Sequence, residues 1–164
     1  MNIFKRMYCR LYQAVFYLAL PFLPYRQPRL LHSVGETAGL ISSNGKRRAL
    51  LVTDANVLAL GLCDGLISSL KAEGVDCVVY SDTVANPTVS NAMAAAKLYN
   101  ERSCDCIIAV GGGSPMDCAK AAGAIVTHPK KSIYKMRGVL KVFGRLPLFV
   151  AVPTTSGTGS ETTI

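Results

Sequence analysis

The stretch CDCIIAVGGGSPMDCAK, residues 104–120, sets three consecutive glycines between an apolar run and an alanine-rich segment. Ile107 to Val110 form a short continuous apolar run, the pattern of a strand covered on both faces in a parallel sheet. Ser114 is placed to N-cap a helix, and Pro115 to take its first position, where a missing N–H costs nothing. Asp117 then follows the cap by three residues. Gly111, Gly112 and Gly113 become the turn that feeds this helix. Unpaired N–H groups and the positive end of the helix dipole suit such a turn to an anion, and glycine lets a phosphate approach the backbone closely. The same residues also describe a tight strand-to-helix turn that binds nothing.

The elements around this turn alternate. KRRALLVTD passes from charge into an apolar run ending at Asp54. Residues 57–73 read as one helix, with Leu58, Leu62, Leu66 and Leu70 every fourth residue and Gly74 as its stop. VDCVVYS (75–81) is the next strand, NPT (86–88) a turn, and a further helix starts near Thr88. The glycine strand comes third, and its helix runs to about Val126 before His128-Pro129 breaks it. A basic connection, 130–145, leads to a fourth strand in LPLFVAVP. The order β-α-β-α-β-α-loop-β implies an α/β fold: a parallel sheet with helices on both faces and right-handed crossovers.

Open parallel sheets bind ligands beyond the carboxyl ends of their strands. Asp54, Asn86, Gly111 to Ser114 and Thr154 to Gly159 all fall at those ends and would gather along one edge. An acidic residue there can hydrogen-bond a ribose 2′-OH and repel a 2′-phosphate. Asp54 is equally well placed to N-cap the helix beginning near Asn56. PTTSGTGSE (153–161) offers hydroxyls and pliable backbone, or is simply a surface loop. The usual dinucleotide fingerprint is missing, because no G-x-G-x-x-G follows the first strand. No P-loop pattern occurs either.

Composition narrows the class. Half of the 164 residues are hydrophobic and only 17% are charged, which excludes a disordered chain. The net charge of +8 is uneven: residues 1–48 carry +7 and 129–145 carry +6, while 49–128 carry −4. The predicted nucleotide-fold region is thus acidic. No nucleic-acid-binding pattern accompanies the basic ends, so they read as solvated surface. Six scattered cysteines lack metal-site spacing and read as reduced thiols of a cytosolic protein. Cys104 and Cys106 would share one face of a strand.

Residues 1–45 read as a basic and apolar extension with a helix, and 46–164 as the α/β domain. Lys5, Arg6 and Arg10 precede an apolar run like the start of a signal peptide, but no small-residue cleavage site follows. The run also falls short of a bilayer span. Met7, Leu11, Val15, Leu18 and Phe22 lie at helical spacing. The expected role is a cytosolic helix docked on the protein or on a neighbouring subunit of a homo-oligomer. Peripheral membrane association through residues 1–25 is the alternative.

VTD (52–54), NPT (86–88), GGGSPMDCAK (111–120) and PTTSGTGSET (153–162) together resemble, in order and spacing, the N-terminal part of iron-containing (group III) alcohol dehydrogenases. Shorter relatives of the dehydroquinate synthase and glycerol dehydrogenase kind share the glycine turn, but PTTSGTGSE points to the alcohol dehydrogenases. The resemblance implies a Rossmann-like NAD(P) domain of the dehydroquinate synthase-like superfamily, followed by an all-helical domain for a divalent metal, Fe2+ or Zn2+. It implies Gly111, Gly112, Gly113 and Ser114 around the cofactor's pyrophosphate, with Asp117 in the same motif. Asn86, Thr154, Thr155 and Thr158 would complete the cofactor's shell. Asp54 matches the position at which an acidic residue favours NAD over NADP.

The family's metal ligands, one aspartate and three histidines, come after the GSE motif and have no counterpart in this chain. His32 and His128 read as structural or surface residues, and no catalytic residue is assigned. The expectation is therefore the cofactor-binding portion of an enzyme that moves a hydride between NAD(P) and an alcohol or aldehyde, inactive by itself. A non-catalytic nucleotide-binding module or partner subunit is the alternative.

Overall fold

A computed structural model describes residues 3–19, 28–138, 141–142 and 144–162. It divides into two units, 1–30 and 31–164. In the first, helix α1 (Ile3–Ala19) takes up most of the apolar run. Met7, Leu11, Val15 and Leu18 share one face of it, as their spacing requires. Phe22 lies outside the described residues.

The second unit contains α2 (Val34–Ser43), β1 (Arg48–Val52), α3 (Ala55–Ala59), α4 (Asp64–Ala72), β2 (Asp76–Tyr80), α5 (Val89–Glu101), β3 (Cys106–Gly111), α6 (Gly113–Thr127), a 3-10 turn (Ile133–Met136) and β4 (Leu148–Pro153). The four strands form one parallel sheet in the order β2-β1-β3-β4. Leu50 is level with Val78 on one side and Ile107 on the other, and Ile107 is level with Phe149. The chain builds outward from β1 to β2, then returns across β1 to place β3. The sheet's switch point therefore lies between β1 and β3, where open α/β sheets bind ligands.

Strand alternation divides the core. Ala49, Leu51, Cys106, Ile108 and Val110 face a layer that includes Ile41 of α2 and Leu66 and Leu70 of α4. Leu50, Val52, Ile107 and Ala109 face α5 and α6 through Ala95, Ala96, Met116 and Ala119. Every residue of β3 is buried, which is why it reads as an uninterrupted apolar run.

One device repeats at three helix ends that lead into strands. After α2, α4 and α5 the chain turns through a left-handed residue: Gly45 (φ 70°), Gly74 (φ 70°) and Ser103 (φ 51°). At each, paired hydrogen bonds close a Schellman motif; after α4, Val75 N–H donates to Leu70 O at 2.9 Å and Gly74 N–H to Lys71 O at 3.1 Å. The same motif overturns the single helix read over 57–73. Gly61 (φ 69°) ends α3, with Leu62 N–H bonded to Val57 O and Gly61 N–H to Leu58 O. Leu62, one of the four regularly spaced leucines, is consequently exposed.

Two further expectations give way. Residues 31–45, grouped by sequence with the extension, belong to the α/β unit: α2 is N-capped by Ser33 and buries Ala38 and Ile41 completely. Cys104 and Cys106 do not share a face. Cys104 lies in the turn after α5, its N–H bonded to Tyr99 O at 2.9 Å, and packs with the α5/α6 layer, while Cys106 packs on the opposite one. Strand alternation does not extend back into that turn.

All six thiols are free, and only Cys9 is exposed. Burial pushes Cys77 and Cys106 up to about 12 and Cys104 to about 11, against 9.0 for an ordinary thiol. Between those values the folded state keeps protons that the unfolded chain has lost. This stabilisation is intact below pH 9.0 and disappears as pH rises toward 12. Denaturant midpoints should therefore fall steadily above pH 9.0. At neutral pH a thiol-disulfide reagent should modify Cys9 rapidly and the remaining thiols only as the chain unfolds; rapid modification of several thiols at full native signal would contradict this burial.

Candidate functional site

The carboxyl ends of the strands carry four loops, and the structure ties them together in two pairs. Thr53 N–H donates to Tyr80 O at 2.9 Å, and Asp54 bridges Asp82, tying the ends of β1 and β2. Thr154 N–H donates to Gly111 O at 2.9 Å, tying the end of β4 to the glycine turn.

Gly111 is required by two constraints. Its φ of 141° is disfavoured for residues with a side chain, and a Cβ there would lie 2.7 Å from Pro115 Cγ. The next two glycines answer to another part of the chain. A Cβ on Gly112 would come within 3.1 Å of Thr155 Oγ1, and one on Gly113 within 3.1 Å of Ser160 Oγ. Thr158 also lies beside Gly113. The loop after β4 thus closes on the turn, and the bare backbone lets it in.

Helix α6, like α4 with Cys63 at its N-cap, starts without a capping side chain. Ser33, Asp54 and Thr88 cap α2, α3 and α5 with their side chains, and Thr88 forms a full capping box with Asn91. The N-cap of α6 is Gly112, which has no side chain to offer, and the first turn carries no acidic residue. Ser114 is therefore not the cap expected from sequence. It is the second helical residue, because the glycine turn continues directly into the helix, which starts two residues earlier than expected. The positive end of a 15-residue helix opens at the switch point without a side-chain acceptor of its own.

Asp54 performs the capping role that was one of its two readings: its Oδ1 accepts from Asn56 N–H and Val57 N–H, both at 3.0 Å. It also stands at the end of β1 beside the switch point, so capping and ligand recognition are compatible in space. Thr154, Thr155 and Thr158 are exposed on the loop that closes over the turn. Asn86 is exposed in the loop after β2, with a left-handed backbone (φ 55°). Asp117 is exposed on α6, one turn beyond the glycines. No hydrogen bond joins either residue's side chain to the glycine turn among the described residues.

Lys120 escaped the sequence reading. Its ammonium donates to Ser160 O, fastening the 153–160 loop to α6. Burial lowers its pKa, with the charges of Asp117 and Glu161 opposing the change. The signal was present in the sequence: Gly113, Asp117 and Lys120 recur at helical spacing on one face of α6. Thr83, after β2, is buried with no hydrogen bond of normal geometry. The Cys118 thiol on α6 is raised mainly by its own burial, and the nearby Thr83 hydroxyl partly offsets that. Among the described residues, no group of three or more His, Cys, Asp or Glu side chains could hold a metal ion. His128 instead places Nδ1 3.3 Å from Ala124 O at the end of α6.

The glycines separate backbone strain from helix propensity. Gly111→Ala should destabilise by about 2–4 kcal/mol, from the disfavoured φ and the collision with Pro115. Gly65→Ala in α4, where an added Cβ meets nothing within 4 Å, should stabilise by about 1 kcal/mol. Urea midpoints displaced in opposite directions are expected; an unchanged midpoint for Gly111→Ala would mean the turn is free to move.

Comparison with known proteins agrees with this architecture. The family model described as iron-containing alcohol dehydrogenase matches residues 31–164. The chain is 36% identical to a 1,3-propanediol dehydrogenase of Citrobacter freundii over 146 residues, covering 88% of this chain and 37% of that protein. It is 37% identical to a choline dehydrogenase of Bacillus subtilis, covering 80% of this chain and 34% of that one. Among solved structures it resembles a sulfoacetaldehyde reductase from Bifidobacterium kashiwanohense in complex with NAD+. There the TM-score is 0.67 and the identity 31%, over 79% of this chain and 34% of that one. The chain thus spans about a third of the length of each.

Proposed function

The chain belongs to the iron-containing alcohol dehydrogenase family, and on that premise we propose that it is the nicotinamide-cofactor-binding portion of an oxidoreductase acting on a small alcohol or aldehyde. The observation that carries this reading is the uncapped N-terminus of α6, opening through three glycines at the switch point of the sheet. An anionic pyrophosphate is the group that such a terminus accepts.

In this reading the amides of Gly112, Gly113 and Ser114 hold the pyrophosphate, with the helix dipole behind them. Asp117 lies beyond that first turn and sets the polarity of the exposed face of α6. Thr154, Thr155 and Thr158, held over the turn by Thr154 N–H and by the Lys120–Ser160 contact, offer hydroxyls from the other side. Asn86 contributes from the loop after β2. Asp54 meets the adenosine ribose, where its charge disfavours a 2′-phosphate. When bound, the nicotinamide supplies or accepts the hydride. The residues named here bind and orient it.

The described residues do not fit the divalent metal implied by the resemblance, and no step of this reading passes through one. The chain alone is accordingly expected to bind cofactor without oxidising alcohols. The relatives' names give no common substrate: 1,3-propanediol, choline and sulfoacetaldehyde occur at similar identity. The substrate is therefore left at the level of a small alcohol or aldehyde. The same reading puts the protein in the cytoplasm, consistent with six free thiols.

Calorimetric titration with NAD and NADP tests the proposal. The chain should bind NAD more tightly than NADP. Asn caps helices as well as Asp does, so Asp54→Asn should keep the thermal midpoint while narrowing the NAD/NADP preference roughly ten-fold, about 1.4 kcal/mol. Asp54→Ala should narrow it too and also lose about 1 kcal/mol of stability with the cap. An unchanged preference in Asp54→Asn would leave Asp54 as a cap alone, and absence of binding to either nucleotide would remove the cofactor reading.

A further inference from the structure

The function assigned to the α/β unit makes no use of α1, whose surface has a chemistry of its own. At about 100° per residue, Ile3, Phe4, Met7, Leu11, Val15 and Leu18 fall within one arc of roughly 120° along the helix. Each of those six side chains is more than half exposed. One border of the arc is an aromatic row: Tyr8 and Tyr12 stack with ring centroids 6.5 Å apart, and Tyr12 and Phe16 at 6.2 Å. Arg6 and Arg10 lie along the other border, and Lys5 within the angular span of the aromatic row. No acidic residue occurs in the helix.

We propose that α1 is an interfacial helix that lies flat on an anionic lipid surface, its Ile3–Leu18 arc in the acyl boundary and Lys5, Arg6 and Arg10 among the headgroups. Three independent features select a lipid over a protein cover. All the charge on the helix has one sign, which complements anionic headgroups and leaves no acidic group for a mixed ion-pair interface. The tyrosines sit on the border between the apolar and polar faces, where an aromatic ring with a polar tip matches the water–hydrocarbon transition. The helix also lies outside the 31–164 family match, so that match does not explain its apolar face. At 17 residues it extends about 25 Å, and no helix among the described residues is long and apolar enough to cross a membrane. Lying on the surface is the mode that remains for such an amphipathic helix.

The experiment is co-sedimentation of the full chain with vesicles of phosphatidylcholine alone and of phosphatidylcholine mixed with phosphatidylglycerol. Binding to the mixed vesicles is expected, with weak binding to the neutral ones and loss at high salt. Replacing Lys5, Arg6 and Arg10 together by Gln should weaken binding on the order of a hundred-fold, about five-fold for each charge. Leu11→Glu, in the middle of the arc, should abolish it. Both variants should keep the thermal transition of the α/β unit, which shows that the loss is not unfolding. The proposal is overturned if the wild-type chain stays in the supernatant with anionic vesicles, or if Leu11→Glu binds them equally well. It is overturned also if light scattering shows a self-associated chain that ignores vesicles and is dissociated by Leu11→Glu, since the apolar arc then belongs to a second copy.

Discussion

The close approach of backbone at Gly111–Gly113 is the constraint around which the α/β unit is arranged. Strand β3 is buried on both faces, so its end must leave the sheet without exposing unpaired backbone to the core. It does so by turning at once into α6, with Gly111 accepting from Thr154 N–H and Pro115 packed against the turn. That turn fixes where α6 begins and how near the β4 loop can come. It also decides which amides face the switch point. A side chain at any of the three positions would push back either Pro115 or the 153–160 loop. The glycines are therefore explained by internal packing as well as by any ligand, and the two explanations make the same demand on the backbone.

The four strands were legible because a parallel sheet covered on both faces imposes long apolar runs, and β1 and β3 have no polar interruption. The start of α5 at Thr88 and the break at His128-Pro129 were legible for local reasons, a capping side chain and a proline. What escaped the sequence reading depends on tertiary contact. Helix α2, VGETAGLISS, has weak amphipathic periodicity because glycine, serine and alanine occupy much of it. Its place in the fold comes from Ala38 and Ile41 fitting against α4 and the sheet. The break at Gly61 was masked by a regular leucine spacing. A four-residue repeat cannot tell a continuous helix from two helices joined by a Schellman turn when the glycine falls between the leucines.

The candidate site was legible as a set of strand ends but not as a set of contacts. Placing Asp54, Gly111 and Thr154 on one edge needs only the order of the elements and the rule for open parallel sheets. Knowing that Thr155 and Ser160 rest on the second and third glycines needs coordinates, since loop 153–160 could leave β4 in many directions. Ser114 shows the limit of local rules. Its capping preference is real, yet a glycine turn that runs straight into the helix leaves the cap at Gly112 and moves serine inside. The result is a helix terminus without its own side-chain cap, the feature on which the proposed anion recognition rests.

A division of labour follows from where these groups sit. The glycine turn is ordered by the fully buried strand β3, by the buried Pro115 and Met116 of α6, and by the loop that follows β4. The hydroxyls of Thr154, Thr155 and Thr158 stand on the exposed rim of that frame and the half-buried carboxylate of Asp54 lies beside it, so none of them is part of the apolar core. Under the proposed cofactor-binding reading, proteins whose names specify different substrates can share this portion at similar identity, because such a frame need not recognise the molecule being oxidised or reduced. A frame with the proposed role of holding a cofactor places few demands on the rest of its surface. Among the described residues, the basic and aromatic-edged face of α1 is a strongly patterned surface that this role does not use, and a lipid partner is the proposed explanation for it.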